Sequence, residues 1–165
     1  YSFKKNYKEI FKFRCTMKVL IFGLPGSGKT TFAKQLTADI DIPHFNADEI
    51  RGIFKDWDFS QVGRIRQVTR MIDLCTIANK PCVVDFVCPY NFYRKDYDIK
   101  IFMNTIASSN YEDTNKIFEL PTDVDYEIKD YNYDNIIKEI IDFITLKWYK
   151  THASGYYIHT KYSLA

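Results

Sequence analysis

The segment Gly23-Leu24-Pro25-Gly26-Ser27-Gly28-Lys29-Thr30 fits the pattern G-x-x-x-x-G-K-[ST] at every position. Gly23, Gly26 and Gly28 let the backbone curl until successive N–H groups point at one phosphate, with Pro25 and Ser27 completing the loop. A helix opening at Gly28 adds the positive end of its dipole, and Thr31 falls in its first turn. Lys29 supplies a cation for the β- and γ-phosphates, and the Thr30 hydroxyl is a ligand for Mg²⁺. A carboxylate stands further along, where the apolar run Cys82-Val83-Val84 ends in Asp85, suited to the same Mg²⁺ shell. The chemistry expected is binding of ATP with Mg²⁺.

Such a loop must be held between a buried strand and a helix, and the flanking sequence supplies both. Residues 18–23 form a short apolar run ending in glycine, the pattern of a strand covered on both faces. A helix is predicted from 28 to about 39, a second strand over 43–46, and a helix over 48–54. A longer helix follows over 62–78, with Val62, Ile65, Val68, Ile72 and Cys75 as its apolar stripe. Strands are predicted over 81–86, 99–103 and 126–130, and an amphipathic helix over 135–148 closes the chain. This alternation predicts an α/β fold, a three-layer α/β/α P-loop NTPase sandwich around a mostly parallel five-stranded sheet. Residues 17–150 are expected to form that domain. Residues 1–16 are read as an extension ahead of Met17, foreign or upstream, and 151–165 as a tail.

Several uses of a triphosphate are argued against by what the chain lacks. A GTPase needs N-K-x-D to read guanine, and Asn115-Lys116-Ile117-Phe118 has phenylalanine at the acidic position. A motor or remodelling ATPase needs more chain than 165 residues for its partner surfaces. A small kinase fits the length.

From Phe45 onward the sequence resembles the adenylylsulfate kinases. That family carries L-D-G-D-N-V-R after its second strand, then G-F-S, a D-R-x-E-N-I-R-R helix, F-I-S-P-Y and I-K-x-F. Here Asn46-Ala47-Asp48-Glu49-Ile50-Arg51, Asp58-Phe59-Ser60, Gly63-Arg64-Ile65-Arg66-Gln67, Phe86-Val87-Cys88-Pro89-Tyr90 and Asn115-Lys116-Ile117-Phe118 follow in the same order. The resemblance implies a kinase that transfers the γ-phosphoryl of ATP to the 3′-hydroxyl of adenylyl sulfate, in sulfate assimilation. It implies that Asp48 serves the acceptor hydroxyl, making Lys29 and Asp48 the catalytic pair. It further implies that Arg51 and Arg64 hold the acceptor's anionic groups. Phe59 and Phe118 would sandwich its adenine, with Gln67 and Lys116 lining the same site. Each residue also has a plainer reading: Asp48 as a helix cap, Arg64 as a solvated charge, Phe59 and Phe118 as core.

The departures from the pattern are specific. The first acid of D-G-D is Asn46, the Asp of D-R is Gly63, and the Ser of F-I-S-P is Cys88. The lid segment R-D-x-K-G-L-Y has no counterpart, since only residues 107–114 join the fourth strand to Lys116. A kinase for another metabolite or for a nucleic-acid 5′-hydroxyl therefore stays open, as does a nucleotide-binding module without catalysis.

Composition narrows the partners. With 46% hydrophobic and 27% charged residues the chain is globular, and a net charge of +2 gives no bulk argument for nucleic acid or membrane. The charge is uneven: Lys4, Lys5, Lys8, Lys12 and Arg14 against Glu9 make the first sixteen residues basic. No apolar run reaches the roughly 18–20 residues that cross a bilayer, and Cys15, Cys75, Cys82 and Cys88 form no C-x-x-C pair. The expectation is a cytoplasmic protein with reduced thiols and a small-molecule substrate, without membrane or nucleic-acid partners, in which a homodimer is compatible with the sequence.

Overall fold

A computed structural model describes residues 17–152. The expectations for 1–16 and 153–165 lie outside the described residues. The elements run β1 (Lys18–Phe22), α1 (Lys29–Ala38), β2 (His44–Asn46), α2 (Ala47–Phe54), α3 (Gln61–Ala78) and β3 (Cys82–Phe86). They continue with α4 (Asn91–Arg94), β4 (Ile99–Met103), α5 (Glu112–Ile117), β5 (Tyr126–Ile128) and α6 (Asp134–His152).

The strands form one sheet in the order β2-β3-β1-β4-β5, every pair parallel. Alternation along β1 explains the two cores. Val19 and Ile21 face α1 and α6, joining Phe32, Leu36, Ile140 and Ile144. Leu20 and Phe22 face the other way, joining Val68, Met71, Val84 and Phe102 beneath α3. Both faces of the central strands are covered, so their sequences are mostly apolar. After β1 the chain crosses to β2 and β3 on one side of it, then to β4 and β5 on the other. The carboxyl end of β1 is therefore a topological switch point, the crevice where open parallel sheets bind ligands.

The buried face of α3 differs from the expected stripe. Gly63, Gln67, Val68, Met71 and Cys75 point inward, while Val62 is among the most exposed apolar residues. In its first turn the helix approaches the preceding segment closely: a Cβ at Gly63 would stand 2.2 Å from the Asp58 carbonyl oxygen. That contact brings the 55–60 segment directly onto α3, and it leaves no room for the aspartate of the D-R pattern. The short helices α4 and α5 were not expected from periodicity, and α6 extends to His152, beyond the predicted end at 148.

Candidate active site

The phosphate loop follows β1 directly. Gly23 has φ of 154°, and a Cβ there would meet the Met103 carbonyl oxygen at 2.6 Å, so only glycine lets the loop lie against the end of β4. Gly28, at φ of 88°, precedes α1 in the left-handed region, and its open side faces the Tyr133 hydroxyl. Lys29 folds back so that Nζ donates to the Leu24 carbonyl at 2.8 Å. Burial lowers its pKa to about 8, against the opposing influence of Asp85 and Asp48.

Asn46 ends β2 and ties three parts of the site together. Its Oδ1 accepts from the backbone N–H groups of Asp48 and Glu49, capping α2. Its Nδ2 donates to Thr30 Oγ1 at 3.0 Å and to Asp85 Oδ1 at 2.6 Å. The cap is thus Asn46 and not Asp48, whose carboxylate is exposed in the first turn of α2. Asp85 is 1% exposed. Its second oxygen lies 3.3 Å from His44 Nε2 without the alignment of a hydrogen bond, leaving both atoms buried and unpartnered among the described residues.

That orphaned oxygen bears on Mg²⁺. No cluster of three or more His, Cys, Asp or Glu among the described residues could hold a metal alone. A buried carboxylate whose Oδ1 is joined through Asn46 to a threonine hydroxyl at the phosphate loop, and whose Oδ2 accepts no hydrogen bond, is a different arrangement. It suits a cation held mainly by phosphates and water with one or two protein oxygens, the usual habit of Mg²⁺. The residues present fit the ion.

Phosphate-loop residues, Asp48 and Asp85 line a cleft of about 970 Å³ together with Arg51, Phe59, Arg64 and Gln67. Arg51 is buried, and its Nη1 donates to the carbonyls of Asp56 and Asp58. Burial lowers its pKa from the ordinary guanidinium value. Its guanidinium sits 4.6 Å from the centre of the Phe59 ring, and that of Arg64 sits 5.8 Å from it. Arg64 Nε donates to the Phe59 carbonyl at 2.8 Å, while Nη2 pairs with Asp113 at 2.7 Å. Gln67 uses both ends of its amide on the protein, donating to the Ala47 carbonyl and accepting from Arg70.

Two of the predicted acceptor residues are not brought to this cleft. Lys116 is exposed, pairs with Glu112, and lines a shallower neighbouring hollow of about 570 Å³ with Phe59 and Arg64. Phe118 follows α5 and stacks on Phe22 and Phe102 at 6.5 and 6.0 Å, under the Arg94 guanidinium at 4.9 Å. No sandwich of Phe59 and Phe118 is formed. Conversely, Trp57 and Asp113 line the cleft and sequence reasoning passed over them. Trp57 had a signal, an aromatic between two aspartates in a polar segment, where no core periodicity accounts for it.

No protein-family model and no curated protein sequence matches the chain. Its fold does match solved structures. The APS kinase of Mycobacterium tuberculosis, in complex with AMPPNP and APS, aligns at a TM-score of 0.63 and 19% identity, over 78% of this chain and 97% of that one. A gluconokinase from Sinorhizobium meliloti 1021 aligns at 0.59 and 14%, over 85% and 99%. A shikimate kinase from Acinetobacter baumannii, in complex with shikimate, aligns at 0.56 and 14%, over 82% and 96%. The chain has the three-layer α/β fold of the P-loop kinases.

Proposed function

We propose that the protein is an ATP-dependent phosphotransferase acting on the hydroxyl of a small anionic acceptor. The observation that carries this reading is one cleft lined by residues of the phosphate loop, by Arg51 and Arg64, and by the exposed Asp48. Lys29 holds positive charge against the phosphoryl oxygens, where charge is redistributed in the transition state. Thr30 and Asp85 would hold a bound Mg²⁺, which would supply neutralisation of phosphate charge. Asp48 orients the acceptor hydroxyl and takes its proton as the new oxygen–phosphorus bond forms. The bond from the γ-phosphorus to its bridging oxygen breaks, and ADP departs with that electron pair. Arg51 and Arg64 suit a sulfate, phosphate or carboxylate on the acceptor, since a guanidinium donates two parallel hydrogen bonds to such groups.

Adenylyl sulfate is the acceptor that the motif series favours. Support for it rests on Asp48, Arg51, Phe59 and Arg64 lining one cleft; the two-phenylalanine sandwich is no part of the reading, because Phe118 packs elsewhere. The test is acceptor-dependent release of ADP from ATP and Mg²⁺, across adenylyl sulfate, gluconate, shikimate and a 5′-hydroxyl oligonucleotide. The reading expects release with one small anion. Release with the oligonucleotide alone, or release that no acceptor stimulates, contradicts it.

A further inference from the structure

Arg94 closes the short helix α4 and is 3% exposed, yet none of its hydrogen-bond partners is a carboxylate. Its Nε donates to the Cys88 carbonyl at 2.8 Å and its Nη2 to the Pro89 carbonyl at 3.0 Å. Nη1 donates to the Glu119 carbonyl and to Asn91 Oδ1, each at 2.8 Å. The guanidinium carbon stands 4.3 Å from the centre of the Phe22 ring and 4.9 Å from that of Phe118. Arginine suits this seat because its donors spread over three nitrogens in one plane, whereas a lysine concentrates them at one point. Cys88, the first residue in the grip, has φ of 41°, in the left-handed region, without being a glycine. Such a backbone persists only where its surroundings hold it. Cys88 and Pro89 line the cleft together with Arg64 and Thr114. The Pro89 carbonyl also accepts from the Glu119 N–H at 2.9 Å, and the Asn91 N–H donates to the Glu119 carboxylate at 2.6 Å. These bonds stitch the turn after β3 to the chain leaving α5, and α5 carries Asp113, the partner of Arg64. None of Arg94's four hydrogen-bond partners belongs to the phosphate loop.

We propose that Arg94 is a positioning residue for the acceptor: it holds Cys88 and Pro89 in the left-handed turn that lines the cleft, and it locks that turn to α5. The assignment rests on the kinase reading for what the cleft binds. Without the guanidinium fork the Cys88 carbonyl loses this donor, and the turn relaxes toward the ordinary extended region. The tie from Pro89 through Glu119 to α5 then slackens, and with it the seat of the Arg64–Asp113 pair. ATP rests on the phosphate loop and α1, and Phe22, which precedes the loop, is held by its register with Phe86 and Phe102 in the sheet. Loss of Arg94 therefore acts on the acceptor and spares the nucleotide.

Arg94→Lys keeps the charge and removes the fork. Cys75, Cys82 and Cys88 are all buried, and burial pushes the Cys88 thiol up to about 12, so all three should alkylate slowly in the wild type. In Arg94→Lys, iodoacetamide followed by peptide mass spectrometry should label Cys88 at least about tenfold faster, with Cys75 and Cys82 unchanged, because the opening is local. By calorimetry with AMPPNP and Mg²⁺ in place, the acceptor probe should bind about tenfold or more weaker, while AMPPNP itself binds within about twofold of wild type. The probe is adenylyl sulfate, or whichever of gluconate and shikimate stimulates ADP release. Arg94→Met keeps an apolar stem over Phe22 and Phe118, and it should show the same pattern if the lysine variant fails to fold. Adding Cys88→Gly to Arg94→Lys should recover part of the acceptor affinity, since glycine takes a φ of 41° without strain. Equal acceleration at all three cysteines, equal loss of both affinities, or no recovery in the double variant overturns the proposal. A wild type that releases ADP with no acceptor defeats the kinase reading, and the labelling of Cys88 still decides whether Arg94 holds the turn.

Discussion

Asn46 Nδ2 lies 2.6 Å from Asp85 Oδ1, and the two residues are register partners at the carboxyl ends of β2 and β3. In the family pattern the acid stands at the position of Asn46; here the carboxylate is on the adjacent strand, within hydrogen-bonding reach of the same point. Asp85→Asn should raise the Mg²⁺ concentration needed for half-maximal activity at least about tenfold, whereas Asp48→Asn should lower kcat with little change in the metal titration. Asn46→Asp alone sets two buried carboxylates side by side and should cost about 1–3 kcal/mol of stability. Combined with Asp85→Asn it should recover both stability and metal response, because aspartate caps α2 as well as asparagine does. A metal titration and denaturant curves on the four proteins decide this; an additive double mutant contradicts the account.

Arg64 is paired with Asp113, a carboxylate that an anionic acceptor must displace or share. Asp113→Asn should therefore lower the KM of the acceptor. Arg64→Ala should raise it by roughly one to two decades, the loss of one charge-assisted hydrogen bond, and leave the KM of ATP nearly unchanged. Steady-state kinetics in both substrates check the pair.

Phe118 belongs with Phe22 and Phe102. Phe118→Ala should destabilise the protein by about 3 kcal/mol, through the cavity and the lost contact with Arg94, without a selective rise in acceptor KM. Urea unfolding beside acceptor kinetics separates the two effects.

The acid side of the stability curve reports on the segment between α2 and α3. Hydrogen bonds from Arg66 and then Arg70 hold the Asp56 carboxyl well below the usual carboxylate range. A carboxyl depressed in the folded state adds stability above its unfolded pKa, roughly 4, and loses it as the pH falls further. The stability difference between wild type and Asp56→Asn should thus be full at pH about 6 and shrink below about 4. Denaturant midpoints across that range test it, and a pH-independent difference contradicts it.

What the sequence disclosed and what it hid divide along physical lines. The phosphate loop was legible because its backbone conformation demands glycine where the chain meets β4 and where α1 begins. The central strands were legible because burial on both faces leaves them mostly apolar, Asp85 being the buried exception. The stripe of α3 holds at Val68 and Cys75 but omits Gly63 and Gln67, which share its buried face, glycine for a close backbone approach and glutamine because its amide is fully paired. Phe118 follows the motif, but its side chain is placed by Phe22, Phe102 and Arg94, from three other segments of the chain. Short helices such as α4 and α5 carry too few residues to show a period.

The central claim is that this cleft moves the γ-phosphoryl of ATP onto a bound acceptor. Its most direct test follows γ-labelled phosphate from ATP in the presence of Mg²⁺ and adenylyl sulfate, in the wild type and in Lys29→Ala. The account predicts label in a phosphorylated acceptor, one per ADP formed, and a rate at least about 10²–10³ lower in a folded Lys29→Ala protein. Transfer at an equal rate by Lys29→Ala, or label released only as inorganic phosphate whatever acceptor is present, would contradict it.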